Sequence, residues 1–91
     1  MTTRRTYRSE DGHSYFQFAF IPDRRHIQVY CTSRPDVNGQ DPDPRRTHLF
    51  PSGQLCFQEG HAPRDYQHAE QLAKLWAEYW LRYRATGCTE G

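Results

Sequence analysis

The feature that most constrains this chain is the apolar set Ala69, Leu72, Ala73, Trp76, Tyr79, Trp80 and Tyr83. These residues recur at the i, i+3, i+4, i+7 spacing of one helix face. Asp65 stands ahead of them as an N-cap whose carboxylate can accept from the free N–H groups of the first turn. His68 holds the position where the reciprocal half of a capping box needs Glu or Gln, so that half is missing. Gly87 stands where helices commonly end in a left-handed residue. The spacing predicts one continuous helix over residues 65–86. A face this aromatic needs an apolar sheet to lie on.

The sheet is legible upstream. Residues 14–21 read as a strand, Phe16, Phe18 and Phe20 alternating with Tyr15, Gln17, Ala19 and Ile21. Pro22-Asp23-Arg24-Arg25 supplies turn chemistry. Residues 26–32 form the second strand of an antiparallel hairpin, with Ile27, Val29 and Cys31 on one face. Residues 1–13 are polar and read as frayed, with at most a short strand over 6–8 before the Glu10-Asp11-Gly12 turn; residues 88–91 read the same way. Residues 33–46 carry Pro35, Asn38-Gly39, Pro42 and Pro44 and almost nothing apolar, which predicts a surface loop. Residues 49–57 return to the core as a turn and a short strand.

The expected fold is therefore α+β: a small antiparallel sheet, an extended crossing segment and one long C-terminal helix. The 91 residues make a single domain near the small end of what can bury its own core. Only 35% of the residues are hydrophobic, but the 14% that are aromatic each bury a large area. A net charge of +1 indicates neither a nucleic-acid sink nor an acidic tail. No apolar run approaches the ~20 residues that span a bilayer, and the basic N-terminus has no apolar region behind it, so neither a membrane segment nor a signal peptide is expected. Cys31, Cys56 and Cys88 are an odd count without paired spacing, which fits free thiols in a reducing cytoplasm.

One segment suggests chemistry. In Thr47-His48-Leu49-Phe50-Pro51-Ser52-Gly53-Gln54-Leu55-Cys56-Phe57 a cysteine follows a Pro-Ser-Gly turn, with a histidine eight residues upstream. A thiol becomes a nucleophile when it is partly exposed beside groups that stabilise its thiolate or position its electrophile. The plainer reading of Cys56 is a small buried hydrophobe beside a turn.

This segment resembles the active-site stretch of ubiquitin-conjugating enzymes, where a His-Pro-Asn triplet precedes an apolar residue, an aromatic, a Pro-Ser-Gly-like turn, another apolar residue and the catalytic cysteine. Phe50, Pro51, Ser52, Gly53, Leu55 and Cys56 match in register. The family's asparagine falls on His48 and its His-Pro on Arg46 and Thr47; bacterial members of the superfamily are similar in sometimes carrying histidine at the asparagine position. The helix Trp76-Ala77-Glu78-Tyr79-Trp80-Leu81-Arg82-Tyr83, ending Ala85-Thr86-Gly87, resembles the Trp- and Tyr-rich helix that follows the cysteine in those proteins. The resemblance spans roughly residues 47–87 and implies a ubiquitin-conjugating core stripped to its minimum. Residues 1–13 have no helical apolar stripe where the family has its N-terminal helix, and the two short C-terminal helices of longer members have no counterpart. Since the family docks its activating enzyme on the N-terminal helix, docking uses another surface, or a larger partner assists, or the activity is lost.

The resemblance implies that Cys56 accepts the C-terminal glycine of a ubiquitin-like modifier from an activating-enzyme-like protein as a thioester. A lysine of a target protein then takes it. His48 would support the oxyanion through an N–H, shape the loop, or take the amine proton. Its plainer role is to pack on the turn. Ser52 and Gly53 would present backbone N–H groups. Glu59, His61 and Asp65 would line the other wall, with Asp65 also the helix cap. No cofactor is implied, and no Cys-x-x-Cys or His-x₃₋₅-His spacing indicates a metal. Two other readings stay open. A non-catalytic scaffold would bind a ubiquitin-like or enzyme partner, with Tyr7, Tyr30 and Tyr66 in its surface. A nucleic-acid surface would combine Arg24-Arg25 and Arg45-Arg46 with Tyr15, Phe16 and Phe18; the phenylalanines are instead expected to face the helix.

Overall fold

The computed structural model describes residues 1–57 and 60–89. Three strands form an antiparallel meander in the order β1 (Thr3–Arg8), β2 (Tyr15–Asp23) and β3 (His26–Ser33). A single turn of helix, α1 (Pro44–Thr47), follows a long connection, and α2 (Tyr66–Thr86) closes the chain. The expected α+β architecture, a small antiparallel sheet covered by one long helix, is the one found.

β2 carries the core face. Phe16, Phe18 and Phe20 are buried with Ile27, Val29 and Cys31 of β3, the face that their alternation predicts. β2 runs through Pro22 and Asp23, which pair with Ile27 and His26, so the reversal shrinks to Arg24-Arg25 with Arg24 at φ 59°. The N-terminal segment corrects the expectation of fraying: Thr3 to Arg8 pair with Phe20 to Tyr15 along the whole of β1. Pairing at a sheet margin uses main-chain groups, so a strand as polar as Thr-Arg-Arg-Thr-Tyr-Arg can form without an apolar pattern. Its inward Tyr7 donates to Glu78 Oε2 at 2.6 Å, and the Glu10 N–H donates to the same oxygen at 3.2 Å.

α2 is capped as expected. The Asp65 carboxylate accepts from the His68 N–H at 2.8 Å, and Gly87, at φ 71°, closes the other end on the Tyr83 carbonyl. Ala69, Ala73 and Ala77 are buried and allow close approach to the sheet, while Leu72, expected in the core, is only half-buried. Trp76 meets both Phe16 and Phe18 edge-on at 6.1 Å and stacks on Trp80 at 5.3 Å.

The connection 33–46 lies on the surface as expected, but it is not loose. Polar heads of the helix aromatics hold it by its carbonyls. Trp80 Nε1 donates to Pro35 O at 2.9 Å, Tyr83 Oη to Asp41 O at 2.7 Å, and Trp76 Nε1 to Thr47 O at 2.9 Å. Tyr79 Oη donates to Arg46 O. Arg84 clamps Asp36 through both carbonyl and carboxylate, and Asn38 donates to the Arg84 carbonyl.

Two outcomes follow. Trp76→Phe keeps most of the ring but strands the Thr47 carbonyl, so thermal or denaturant unfolding should show a loss of ~1–3 kcal/mol. Trp76→Ala should lose ~3–5 kcal/mol. The second outcome concerns Tyr7, whose phenol is pushed from 10.0 up to about 12 by burial, by its hydrogen bond to Glu78 and by the charges of Glu78 and Glu10. The folded state thus favours the neutral phenol. Its contribution is complete below pH 10 and disappears as the pH rises through 12. Tyr7→Phe should flatten this alkaline loss of stability, and ultraviolet titration should lack the late phenolate.

Candidate functional site

Asp43 starts the site. It caps α1, accepting from the Arg45 N–H at 2.9 Å with Pro44 in the first turn. Hydrogen bonds from Arg45 hold its carboxyl down at about 2. This helical turn within a segment read as plain loop is the element sequence reasoning missed, although Asp-Pro is its visible signal. Thr47 is buried and its carbonyl is taken by Trp76. His48 then ends the turn in the left-handed region at φ 56°, ψ 33°, its N–H bonded to Pro44 O at 2.8 Å.

From His48 the chain makes a tight hairpin. The Cys56 N–H donates to His48 O at 2.8 Å, Leu49 bridges Leu55, and the Phe50 N–H donates to Gln54 O at 2.9 Å. Pro51 and Ser52 form the tip. The Gly53 N–H closes the turn on Phe50 O at 2.9 Å. Gly53 is required for two reasons. Its φ is 93°, and a Cβ there would stand 3.1 Å from the Cys31 carbonyl. The hairpin's second arm lines the edge of β3: Cys31 N–H to Gly53 O and Leu55 N–H to Val29 O are both 2.8 Å, and Ile27 N–H to Pro63 O continues the row.

The hairpin therefore joins Cys56 and His48 through their backbones, eight residues apart around the turn. Cys56 is a free, half-buried thiol. The His48 side chain is exposed, and its ring packs on Tyr79 with 5.3 Å between centroids. Burial, and then the neighbouring Tyr83, raise the Tyr79 phenol above its ordinary value, so the shelf under His48 stays neutral at physiological pH.

The other expected residues separate. Ser52 is exposed at the tip, and its Oγ accepts from the Gln54 N–H at 3.3 Å. The Gly53 N–H is consumed by the turn, which corrects its expected role as a donor to a reacting oxygen. Asp65 is the α2 cap. His61 is exposed in the loop before it. Glu59 lies outside the described residues. Phe16 and Phe18 face α2 and cannot stack on an outside ligand, leaving Tyr15 as the outward aromatic of that group, 58% exposed. Tyr7 is committed to Glu78, whereas Tyr66 is exposed.

Among the described residues, no group of three His, Cys, Asp or Glu is arranged to hold a metal ion, and no helix is long and apolar enough to cross a membrane. Comparison with protein families, with curated proteins and with solved structures returns no match for this chain.

The three thiols should be distinguishable. Cys31 is buried, its thiol pushed up by desolvation, and its Sγ is bonded to Ser33 O at 3.3 Å. In a Cys88→Ser background, a small alkylating agent should label Cys56 at least ~10-fold faster than Cys31, read by peptide mass spectrometry. Equal, slow labelling of the two would remove Cys56 as an accessible nucleophile.

Proposed function

We propose that this chain is a ubiquitin-conjugating-enzyme-like carrier that holds a ubiquitin-like modifier as a thioester on Cys56 and transfers it to an amine. The observation that supports this reading is the hairpin that joins the backbones of Cys56, whose thiol is free and half-buried, and His48, whose ring packs on Tyr79. The in-register Phe-Pro-Ser-Gly-x-Leu-Cys resemblance supplies the chemistry.

In the loading step the Cys56 thiolate attacks the thioester carbonyl joining the modifier's C-terminal glycine to a cysteine of an activating enzyme. The new S–C bond forms as the old one breaks, and the activating enzyme leaves as its thiolate. In the discharge step a neutral lysine amine attacks the Cys56 thioester. The C–N bond forms, the amine gives up a proton, and the Cys56 sulfur leaves. Both steps pass through a tetrahedral oxyanion, and the loss of one donor to such an oxygen typically costs ~100-fold or more in rate. With the Gly53 N–H engaged in the turn, the His48 ring is the candidate donor from this hairpin. Its alternative task is to take the amine proton. The exposure of the ring leaves it open to an incoming target, and Tyr79 restricts its swing.

The half-burial of Cys56 favours a second reading, in which the same fold binds a ubiquitin-like or enzyme partner without chemistry. One experiment separates the two. With a cognate activating enzyme and modifier, Cys56 should form an adduct that reducing agent releases, and Cys56→Ala should abolish it. His48→Ala should load normally but discharge to lysine at least ~10-fold more slowly. Loading that survives Cys56→Ala would end the carrier reading; binding of the modifier without an adduct would establish the scaffold.

A further inference from the structure

β1 is the one sheet margin left uncovered among the described residues. β3 is lined by the hairpin and Pro63, whereas β1 pairs only with β2. An uncovered strand offers a row of main-chain donors and acceptors to any extended chain that its side chains accept.

The side chains of this edge are selective. Arg4, Arg5 and Arg8 occupy half of the six-residue strand. Arg5 makes a long, exposed pair with Glu70 at 3.4 Å, while Arg4, on the sheet face turned away from α2, and Lys74, on α2, have no carboxylate partner among the described residues. A second copy of the chain adding to this edge would set three arginines against three arginines, which is unfavourable. An acidic strand meets the opposite sign.

A protective row of arginines would be enough to keep this edge clear, but the edge has a second feature that protection does not need. A cleft of about 200 Å³ opens between β1 and α2, floored by Phe18, Phe20 and Ala73 and rimmed by Arg5, Glu70 and Lys74. It is smaller than the ~300–1,000 Å³ clefts that enclose small molecules. It suits a single aliphatic side chain. In a strand laid on β1, alternate side chains point to the helix side of the sheet, so one of them would enter this cleft while its neighbours lie among the basic groups.

We infer that the β1 edge is a docking site for an extended acidic segment of a partner protein, which adds as a strand, inserts one aliphatic side chain between β1 and α2, and pairs its carboxylates with Arg4, Arg5 and Lys74. The site shares no residue with the Cys56 hairpin and stands whether or not that thiol is catalytic.

The probe is a short fluorescent peptide with one leucine flanked on both sides by glutamates, titrated into the full chain by anisotropy and mapped by backbone amide shifts. The peptide should bind with shifts centred on residues 3–8 and 70–74, and should weaken as salt screens the pairing. An otherwise identical peptide with lysines for glutamates should not bind. The acidic peptide N-methylated at alternate amides should bind at least ~10-fold more weakly, because strand addition needs its N–H groups. The exposed double variant Arg4→Glu/Lys74→Glu should melt as the parent does and lose at least ~10-fold in affinity. No binding by the acidic peptide, equal binding by the N-methylated form, shifts mapping elsewhere, or self-association of the free chain through β1 would each overturn the inference.

Discussion

The structure depends on four aromatic side chains of one helix that act as both core and clamp. Trp76, Tyr79, Trp80 and Tyr83 follow the i, i+3, i+4, i+7 rule. Their rings are buried or half-buried, and each also carries one polar atom. Those atoms donate to the carbonyls of Thr47, Arg46, Pro35 and Asp41. The indole N–H and phenol O–H cannot be buried without a partner at a cost of several kcal/mol, and the connection 33–47 lacks the apolar residues to anchor itself. Each solves the other's problem. Among the described residues no buried side-chain polar atom is left without a partner. A domain this small thereby orders a long polar connection with few apolar side chains in that connection; Val37 is the one that packs on the core.

That clamp is also how the fold reaches the candidate site. Trp76 takes the Thr47 carbonyl and Tyr79 the Arg46 carbonyl, so the last turn before His48 is fixed from below by α2. Tyr79 then adds its ring face under the imidazole. Cys56 is fixed from a different side. Its arm of the hairpin is stitched to β3 by the Leu55–Val29 and Cys31–Gly53 bonds. Histidine and thiol are thus supported from separate parts of the molecule, on two arms of one hairpin whose open end is closed by the Cys56 N–H to His48 O bond. Disturbing either support would shift one residue relative to the other without removing the core that holds the domain together.

The parts of this fold that were legible in the sequence are those where side chains carry the periodicity. Phe16, Phe18 and Phe20 announce β2, and the aromatic stripe with Asp65 and Gly87 announces α2, because burial selects residue types at fixed spacing. β1 was illegible beyond its last residues for the opposite reason: an edge strand is held by main-chain bonds that every residue can make, and Arg4 and Arg5 leave no apolar trace. The order in 33–46 was hidden because its partners lie about 40 residues away and the accepting atoms are carbonyls, which have no sequence signature. At the candidate site, the turn between His48 and Cys56 could be read from Pro51-Ser52-Gly53. The left-handed backbone of His48 could not, since only the preceding Asp43-Pro44 turn makes it necessary.

Gly53 shows how tightly site and sheet are joined. Its N–H closes the hairpin tip, its carbonyl accepts from Cys31, and its missing Cβ leaves room for the Cys31 carbonyl. A residue whose two backbone groups are both engaged in this way is scaffold, whatever a motif would assign to it. The same reasoning applies to Asp65, whose carboxylate already satisfies the first turn of α2. Setting these two aside leaves the exposed His48 ring and the half-buried Cys56 thiol, which have no side-chain hydrogen bond among the described residues, together with the exposed Ser52 hydroxyl at the tip. The proposed carrier role therefore rests on the His48 and Cys56 side chains, whose backbones the hairpin joins and whose supports come from β3 on one side and α2 on the other.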